Sequence, residues 1–239
     1  KKVRFTGGEP LLRKDIVEIV EIASNYMGDI SISTNGTLLS EKISDLKEAG
    51  ISRFNVTLNT LNDEVYKSIT GKEILKDVLA GIERTYEEKL FPIKVNMVVM
   101  QRNYREIKEM INYTKEGMVL QLIELISSKD DLDSEFYKEN YASLLPIEEY
   151  LETHSIKIVE REKQRRKKYF VPQEIEVVRS MHNTVFCKNC TSIRLTSEGE
   201  IKNCLFRNDN LTKVKDFTDH EKLKETLINS IKTKTPYWC

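Results

Sequence analysis

The chain has 239 residues, a mean hydropathy of −0.46, and 38 Lys and Arg against 38 Asp and Glu. No run approaches the roughly 18 consecutive apolar residues of a membrane-spanning helix, which excludes a transmembrane protein. Zero net charge provides no global field that would recruit nucleic acid or a membrane surface. The length predicts one or two domains. Three of the four cysteines cluster, which favours a metal or redox site in a cytoplasmic protein over a disulfide scaffold.

The first 127 residues alternate strand-like and helix-like segments. Strands are predicted at residues 2–6, 30–34, 53–58, 93–100 and 118–127. Helices are predicted from Pro10 onward with Leu12 on the buried face, after Ser40 as N-cap, and at residues 62–71, 73–89 and 104–116. This alternation predicts an α/β fold with a parallel sheet and helical crossovers, either an open doubly wound sheet or a barrel.

The remaining residues have a different pattern, with shorter elements. We expect one helix at about residues 147–152 and short antiparallel strands at residues 157–160, 169–171 and 174–178. A hairpin is predicted from residues 193–196 and 200–203, followed by a helix at residues 220–232. We place a domain boundary near residue 130, between a domain of residues 1–130 and one of residues 131–239.

The cysteines form the strongest chemical signal in the sequence. Two residues separate Cys187 from Cys190, and the predicted hairpin returns Cys204 towards them. Three thiolates suit an iron–sulfur cluster with one open iron, or zinc if His182 or Cys239 supplies a fourth ligand. A thioredoxin-like dithiol is disfavoured, because the pair precedes a hairpin and does not open a helix after a strand. The spacing also argues against cysteines that merely pack as small apolar side chains.

Polar residues occur in or just after the predicted parallel strands, where barrel and doubly wound enzymes build their sites. They are Gly7-Gly8-Glu9, Thr34-Asn35-Gly36, Thr57, Asn59, Asn96 and Glu124. Any one of them could cap a turn or face solvent, but together they indicate a site at this edge.

A basic run follows in the second half, with six Lys or Arg among the eight residues from Arg161 to Lys168. Such a run could bind phosphates. A solvated loop or strand tip is the interpretation we favour for it.

Several segments carry a resemblance to a known family. Residues 3–13, with Gly7-Gly8-Glu9-Pro10, resemble the second-strand segment of radical S-adenosylmethionine (SAM) enzymes. Residues 33–36, 55–58 and 94–96 follow in the order seen in GTP 3′,8-cyclases, the molybdenum cofactor biosynthesis protein A family. The cysteine segment with residues 193–196 and 204–206 is the part most particular to that family. The resemblance covers nearly the whole chain.

This resemblance implies a partial (β/α) barrel of the radical SAM type that holds a SAM-binding 4Fe–4S cluster. A smaller α+β carboxy-terminal domain would hold a second 4Fe–4S cluster. In the family, reduction of SAM gives a 5′-deoxyadenosyl radical, which abstracts the 3′ hydrogen of GTP, and the sugar radical then attacks C8 of guanine. The implied partners are GTP, SAM, an electron donor and the next enzyme of molybdopterin synthesis, and a homodimer is compatible with the family.

The resemblance also assigns roles to individual residues. SAM contacts are implied for Gly8, Thr57 and Ile126. GTP contacts are implied for Arg4, Thr34, Lys94, Ser192, Ile193 and Arg194. Cluster ligation is implied for Cys187, Cys190 and Cys204, with the open iron binding guanine. The family commonly has Ser at position 57, often a basic residue at position 192 and frequently Met at position 126, so Ser192 puts one contact in doubt.

The Cys-x₃-Cys-x₂-Cys loop that holds the family's first cluster is absent from these residues. We therefore interpret the chain as an internal fragment that is inactive alone. The family's Gly-Gly tail is not visible either. Two alternatives stay open: another radical SAM enzyme with an auxiliary cluster, acting for example on a peptide, and a non-catalytic module with zinc on the three cysteines and His182.

Overall fold

The computed structural model describes residues 1–129 and 131–238. Its main sheet begins with parallel strands joined by helices, as the sequence predicts. The strands are β1 (Lys2–Phe5), β2 (Asp29–Thr34), β3 (Arg53–Thr57), β4 (Ile93–Val99) and β5 (Met118–Glu124). The helices are α1 (Ile16–Ser24), α2 (Leu39–Glu48), α3 (Asp63–Thr70), α4 (Leu75–Glu87) and α5 (Ile107–Tyr113). The α/β class with a mostly parallel sheet is confirmed.

The second half of the chain extends the same sheet. Helices α6 (Glu135–Asn140) and α7 (Leu145–His154) lead to β6 (Lys157–Glu160), β7 (Lys167–Phe170) and β8 (Glu174–Val178). Within the described residues the eight strands have the order β1-β2-β3-β4-β5-β8-β7-β6. The prediction that residues 174–178 pair only in antiparallel fashion is wrong, because β8 pairs parallel with β5 and antiparallel with β7.

The boundary near residue 130, which would divide residues 1–130 from residues 131–239, stays a prediction. Residue 130 itself lies outside the described residues. The hydrogen bonds between β5 and β8 carry one sheet across both sides of this position.

The carboxy-terminal part adds a small second sheet. Helix α8 (Thr184–Lys188) precedes β9 (Arg194–Leu195), β10 (Glu200–Lys202), β11 (Thr212–Lys213) and α9 (His220–Lys232). The predicted hairpin is confirmed as the antiparallel pair β9 and β10, whereas β11 was not predicted. The final helix is confirmed. No helix among residues 1–129 and 131–238 is both long and apolar enough to cross a membrane.

The main sheet has one apolar face and one polar face. Side chains alternate along each strand, so on β4 the buried Val95 and Met97 point opposite to Lys94 and Asn96. The apolar face forms one core with α1, α2, α4 and α5. The polar face is therefore the face of the sheet on which a ligand could bind.

Three local expectations differ from the structure. Leu12 is 71% exposed, because Pro10–Leu12 forms a separate 3₁₀ turn and α1 begins only at Ile16. Helix α2 begins at Leu39, so Ser40 lies inside it and is not its N-cap. Helix α6, whose N-cap Ser134 accepts from the backbone N–H of Tyr137, was not predicted.

Packing between α2 and α4 requires Gly81. A Cβ at this position would lie 2.5 Å from the carbonyl oxygen of Gly36 and 2.9 Å from the Cβ of Leu39. Intrinsic helix propensity favours Ala over Gly by about 1 kcal/mol, but overpacking costs about 1–3 kcal/mol. The nearest atom is a backbone oxygen, which cannot rotate away, so the overpacking cost should lie in the upper part of this range. We therefore expect Gly81→Ala to lower the free energy of unfolding by about 1–2 kcal/mol, measured by urea denaturation.

The matched control is Gly28→Ala, because a Cβ at the exposed Gly28 meets nothing within 4 Å. Its free energy of unfolding should stay within about 0.5 kcal/mol of the parent. A Gly81→Ala chain as stable as the parent would show that α2 and α4 can separate without loss.

Candidate functional site

Strand register places a row of polar side chains across the polar face of the sheet. Thr57 on β3 lies opposite Asn96 on β4, Asn96 opposite Gln121 on β5, and Gln121 opposite Glu176 on β8. Lys94 precedes Asn96 on the same face of β4. Parallel pairing thus collects residues from distant parts of the sequence into one surface.

Glu176 is the centre of this surface and is completely buried. Its carboxylate accepts hydrogen bonds of 2.7 Å from Lys94 Nζ, 2.7 Å from Gln121 Nε2, and 2.9 and 3.0 Å from Arg161 Nη1. Arg166 Nη1 lies 3.4 Å from the same carboxylate. One buried carboxylate therefore holds three cations together.

The protonation equilibria of this group reflect its burial. Desolvation lowers the pKa of Lys94 to about 8, against the attraction of Glu176. Desolvation opposes ionisation of Glu176, but the charges of Lys94 and Arg166 hold its pKa at about 2. Desolvation and the charges of Arg53 and Arg166 lower the pKa of Arg4. The cations repel one another, so this face favours an anion.

The basic run does not behave as the solvated loop that we expected. The Arg161 and Arg166 side chains are 30% and 14% exposed, and both pair with Glu176. The prediction is wrong for these two residues, because β6 and β7 fold beside β8 and bring them to its carboxylate. It is right for Arg165, which is 53% exposed and pairs with Glu160 at the surface.

The loop after β1 is tied to the loop after β2 by Glu9. Its carboxylate accepts from Leu11 N at 3.0 Å, Thr34 Oγ1 at 2.7 Å and Asn35 N at 2.7 Å. The hydroxyl of Thr34, a predicted GTP contact, is thereby engaged with protein. Gly8 is exposed, and a Cβ there would meet nothing within 4 Å.

Two asparagines on the polar face keep unused hydrogen-bonding atoms. Within the described part of the chain, neither the side-chain nitrogen nor the oxygen of the fully buried Asn55 has a partner, and Asn96 Oδ1 is also unpartnered. Asn59 and Glu124, by contrast, are engaged in the fold. Asn59 Oδ1 accepts from Val98 N at 2.9 Å, and Glu124 accepts from the Tyr141 hydroxyl at 2.9 Å.

The three clustered cysteines are free and half-buried. Burial opposes ionisation of the Cys190 thiol, but hydrogen bonding at Ser192 and the charge of Lys234 lower its pKa overall. Cys190 Sγ also accepts from Gln164 Nε2 at 3.6 Å. In residues 1–129 and 131–238, no three His, Cys, Asp or Glu side chains are arranged to hold a metal ion.

The other candidate residues lie around this core of the site. Thr57 is exposed at the end of β3, and Ile126 and Ile193 are 38% and 40% exposed. Arg194 is half-buried on β9, opposite Lys202. The Ser192 carbonyl accepts from Lys234 Nζ at 2.6 Å. Among the described residues, no hydrogen bond or ion pair joins Arg194 to the Glu176 group.

The sequence offers His182 or Cys239 as a fourth ligand for zinc. The His182 ring packs on Trp238 with centroids 4.2 Å apart. Cys239 lies outside the described residues.

Sequence reasoning missed Glu176, Gln121, Arg161 and Arg166. A signal was present in β8, where Glu174 and Glu176 alternate with Ile175 and Val177. The alternation shows that one face of this strand is polar. It does not show that this polar face contacts Lys94, which lies 82 residues earlier in the chain.

Comparison with known proteins identifies the family. Residues 1–114 match the radical SAM superfamily, and residues 118–238 match Molybdenum Cofactor Synthesis C. A probable GTP 3′,8-cyclase of Pyrococcus abyssi is 44% identical over 250 residues, covering 100% of this chain and 81% of that protein. One of Methanothermobacter marburgensis is 44% identical over 246 residues, covering 100% and 80%.

Among solved structures, a domain of pyruvate-formate lyase-activating enzyme from Bacteroides vulgatus has a TM-score of 0.47 and 15% identity, covering 62% of this chain and 88% of that one. The sequence matches span both halves of the chain and exceed 40% identity over its whole length. The chain therefore belongs to the radical SAM superfamily and, within it, to the family of GTP 3′,8-cyclases.

Proposed function

We propose that this protein converts GTP to 3′,8-cyclo-7,8-dihydroguanosine 5′-triphosphate, the first step of molybdenum cofactor synthesis. The observation that carries the proposal is the cationic polar face of the sheet, in a chain that is similar along its whole length to proteins named GTP 3′,8-cyclase. SAM is the co-substrate, and an electron donor supplies the reducing equivalent. The product would pass to the next enzyme of the pathway.

The charge on the polar face matches a nucleoside triphosphate. GTP carries close to four negative charges, and a chain of zero net charge must concentrate its cations to bind it. Lys94 and Arg4 lie on the polar face, and both are electrostatically coupled to Arg161 and Arg166. Charge-assisted hydrogen bonds from such cations to phosphate oxygens are among the strongest in proteins.

The SAM-binding part of the proposal concerns Gly8, Thr57 and Ile126. Apart from Gly8 and its two chain neighbours, no atom of residues 1–129 or 131–238 lies within 4 Å of where a Cβ of Gly8 would be, so a ligand could approach the backbone closely there. Thr57 presents an exposed hydroxyl at the end of β3. The unpartnered amide of the neighbouring Asn55 supplies a donor and an acceptor that a polar ligand would satisfy.

The cofactors of the radical SAM superfamily are a 4Fe–4S cluster and SAM. We further propose that Cys187, Cys190 and Cys204 bind a 4Fe–4S cluster of this chain. The donors fit the group by their chemistry, because all three thiols are free and the pKa of Cys190 is lowered. Within residues 1–129 and 131–238 they are not drawn together around one metal position. With SAM and its cluster bound, reductive cleavage of SAM supplies the radical chemistry of the superfamily.

Residues beside the cysteines would orient the base of GTP. Ser192, Ile193 and Arg194 follow Cys190 after one intervening residue, Thr191. Lys234 approaches both Cys190 Sγ at 3.8 Å and the Ser192 carbonyl. Arg194 can donate to guanine or phosphate oxygens. The Thr34 hydroxyl can donate a hydrogen bond to the ligand only if it breaks the one that it donates to Glu9.

The proposed activity is tested with the protein expressed from the complete reading frame. Under anaerobic conditions with a reductant, we expect it to form the cyclised nucleotide from GTP only when SAM is present, measured by mass spectrometry. Omission of SAM is the control. A protein that cleaves SAM but leaves GTP intact would contradict the proposed function.

The cluster ligands are tested by substitution under anaerobic reconstitution. Cys204→Ala should lose the iron, sulfide and visible absorbance that the three thiolates hold, because two ligands do not secure a cluster. Cys239→Ala is the matched control and should keep them. A colourless parent chain with stoichiometric zinc would refute the cluster, and loss of metal in Cys239→Ala would favour the zinc alternative.

The pKa of Lys94 predicts a pH dependence of GTP binding. An ammonium whose pKa is about 8 loses its proton as pH rises through this value, and a bound anion favours the protonated form. The affinity for GTP, measured by calorimetry, should therefore fall between pH 7 and 9, by at most about tenfold per pH unit. Lys94→Arg keeps its charge over this range and should flatten the dependence. Parallel curves for both proteins would remove Lys94 from the site.

A further inference from the structure

The segment from Arg161 to Arg166 lies between the polar face of the sheet and the cysteine segment. Its first and last residues, Arg161 and Arg166, both pair with Glu176 of β8. In its middle, Gln164 N donates to the Asn189 carbonyl at 2.9 Å, and Gln164 Nε2 approaches Cys190 Sγ. This segment thus contacts both parts of the proposed GTP site.

The cations at this place exceed the negative charge available to them. Lys94, Arg161 and Arg166 share the single carboxylate of Glu176. Arg4 also experiences the charges of Arg166 and Arg161. Unneutralised positive charge in a largely buried place is unfavourable, so the arrangement favours the binding of an anion.

Arg166 has a hydrogen-bond donor that the fold does not use. Its Nε–H is buried and has no hydrogen-bond partner among the residues that the structure describes. Buried donors are almost always paired, and an orphaned guanidinium N–H is a strong donor to phosphate. Arg161 pairs with Glu176 through Nη1 and is still 30% exposed, so part of its guanidinium can be reached from outside.

The backbone holds the segment in an unusual conformation. Gln164 and Arg165 have φ values of 63° and 51°, in the left-handed region that non-glycine residues rarely adopt. Two such residues in succession persist when surrounding contacts hold them, and they cluster at ligand sites. Here the holding contacts are those of Gln164 to Asn189 and Cys190.

We propose that Arg161 and Arg166 form an additional phosphate-binding subsite for the triphosphate of GTP, with Glu176 as the positioning residue that orients them together with Lys94. The inference rests on the proposed binding of GTP. The inference adds Arg161, Arg166 and the carboxylate of Glu176 to the residues for which the family resemblance implies GTP contacts.

Arg165 provides the matched control within the same segment. It has the same side chain and lies one residue from Arg166, but it pairs with Glu160 at the surface and does not contact Glu176. Arg165→Gln changes the net charge of the protein by the same amount as Arg161→Gln or Arg166→Gln does. A general electrostatic effect would thus act on Arg165→Gln as well.

The experiment uses inorganic tripolyphosphate, GTP and guanosine as probes in calorimetry at low salt. In Arg161→Gln and Arg166→Gln, the affinities for tripolyphosphate and GTP should fall by about tenfold or more, as expected for a lost charge-assisted hydrogen bond. The affinity for guanosine should be unchanged. Arg165→Gln should bind all three probes within about twofold of the parent, and Arg161→Lys should recover part of the loss.

Circular dichroism and thermal melting verify that each variant is folded. If an Arg→Gln variant does not fold, the test compares Arg161→Lys with Arg165→Gln. Arg161→Lys should then bind tripolyphosphate more weakly than Arg165→Gln does. Equal affinity of the parent and both Arg→Gln variants for tripolyphosphate would overturn the subsite, as would an equal loss in Arg165→Gln. Tripolyphosphate contains no guanine, so this result stands even if the parent forms no cyclised product.

Glu176→Gln separates positioning from simple charge neutralisation. Removal of a negative charge alone would tighten tripolyphosphate binding. If Glu176 orients the guanidinium groups, the affinity should fall by several-fold, because a neutral amide holds them less firmly. Tighter binding in Glu176→Gln would overturn the positioning role.

Discussion

A fully buried carboxylate must be surrounded by cations and hydrogen-bond donors, and Glu176 imposes this requirement on the whole polar face. Lys94 from β4, Gln121 from β5 and Arg161 from the end of β6 meet at its two oxygens. The loss of any one partner would remove a hydrogen bond or an ion pair from a carboxylate that has no solvent exposure of its own. The carboxylate thus couples the parallel half of the sheet to the antiparallel strands at its end.

This arrangement is possible because the sheet has two different faces. Period-two alternation sends Val95, Met97 and Leu120 into the core with the helices, where burial of apolar area stabilises the fold. The same alternation leaves Lys94, Asn96 and Gln121 on the opposite face. Stability and ligand binding therefore depend on alternate residues of the same strands, so site residues can change without disturbing the core.

The segment between β6 and β7 connects this face with the cysteines. Gln164 contacts Cys190 and Asn189, while Arg161 and Arg166, on either side of it, contact Glu176. Under the proposed function, the base of GTP near the cysteines and its phosphates near the arginines would be positioned by one short stretch of chain. Flexibility in this stretch would affect both ends of the ligand, and its constrained backbone limits that flexibility.

Much of the fold could be predicted from the sequence. The bounds of β1 to β4, α3 and α9 follow, to within about one residue, from local patterns of alternation, capping and turn residues. Strand β5 begins where predicted but ends at Glu124, before the expected residue 127. Leu12 and Ser40 could not be placed correctly, because the first turn after a strand can be 3₁₀ or α-helical with little difference in local sequence. The parallel partner of β8 was also beyond reach, since pairing with β5 depends on contacts far apart in the chain.

The sequence by itself determined the class of the fold and, through the resemblance, the family and the nominated residues such as Gly8, Lys94 and Cys187. Only the tertiary structure decided that Arg161 and Arg166 leave the solvent and join Lys94 at Glu176. The physical reason is that a local charge run looks the same whether it is solvated or paired. Its role depends on which buried charge the folded chain brings beside it, and in this protein that charge lies on a strand whose partner is chosen by long-range packing.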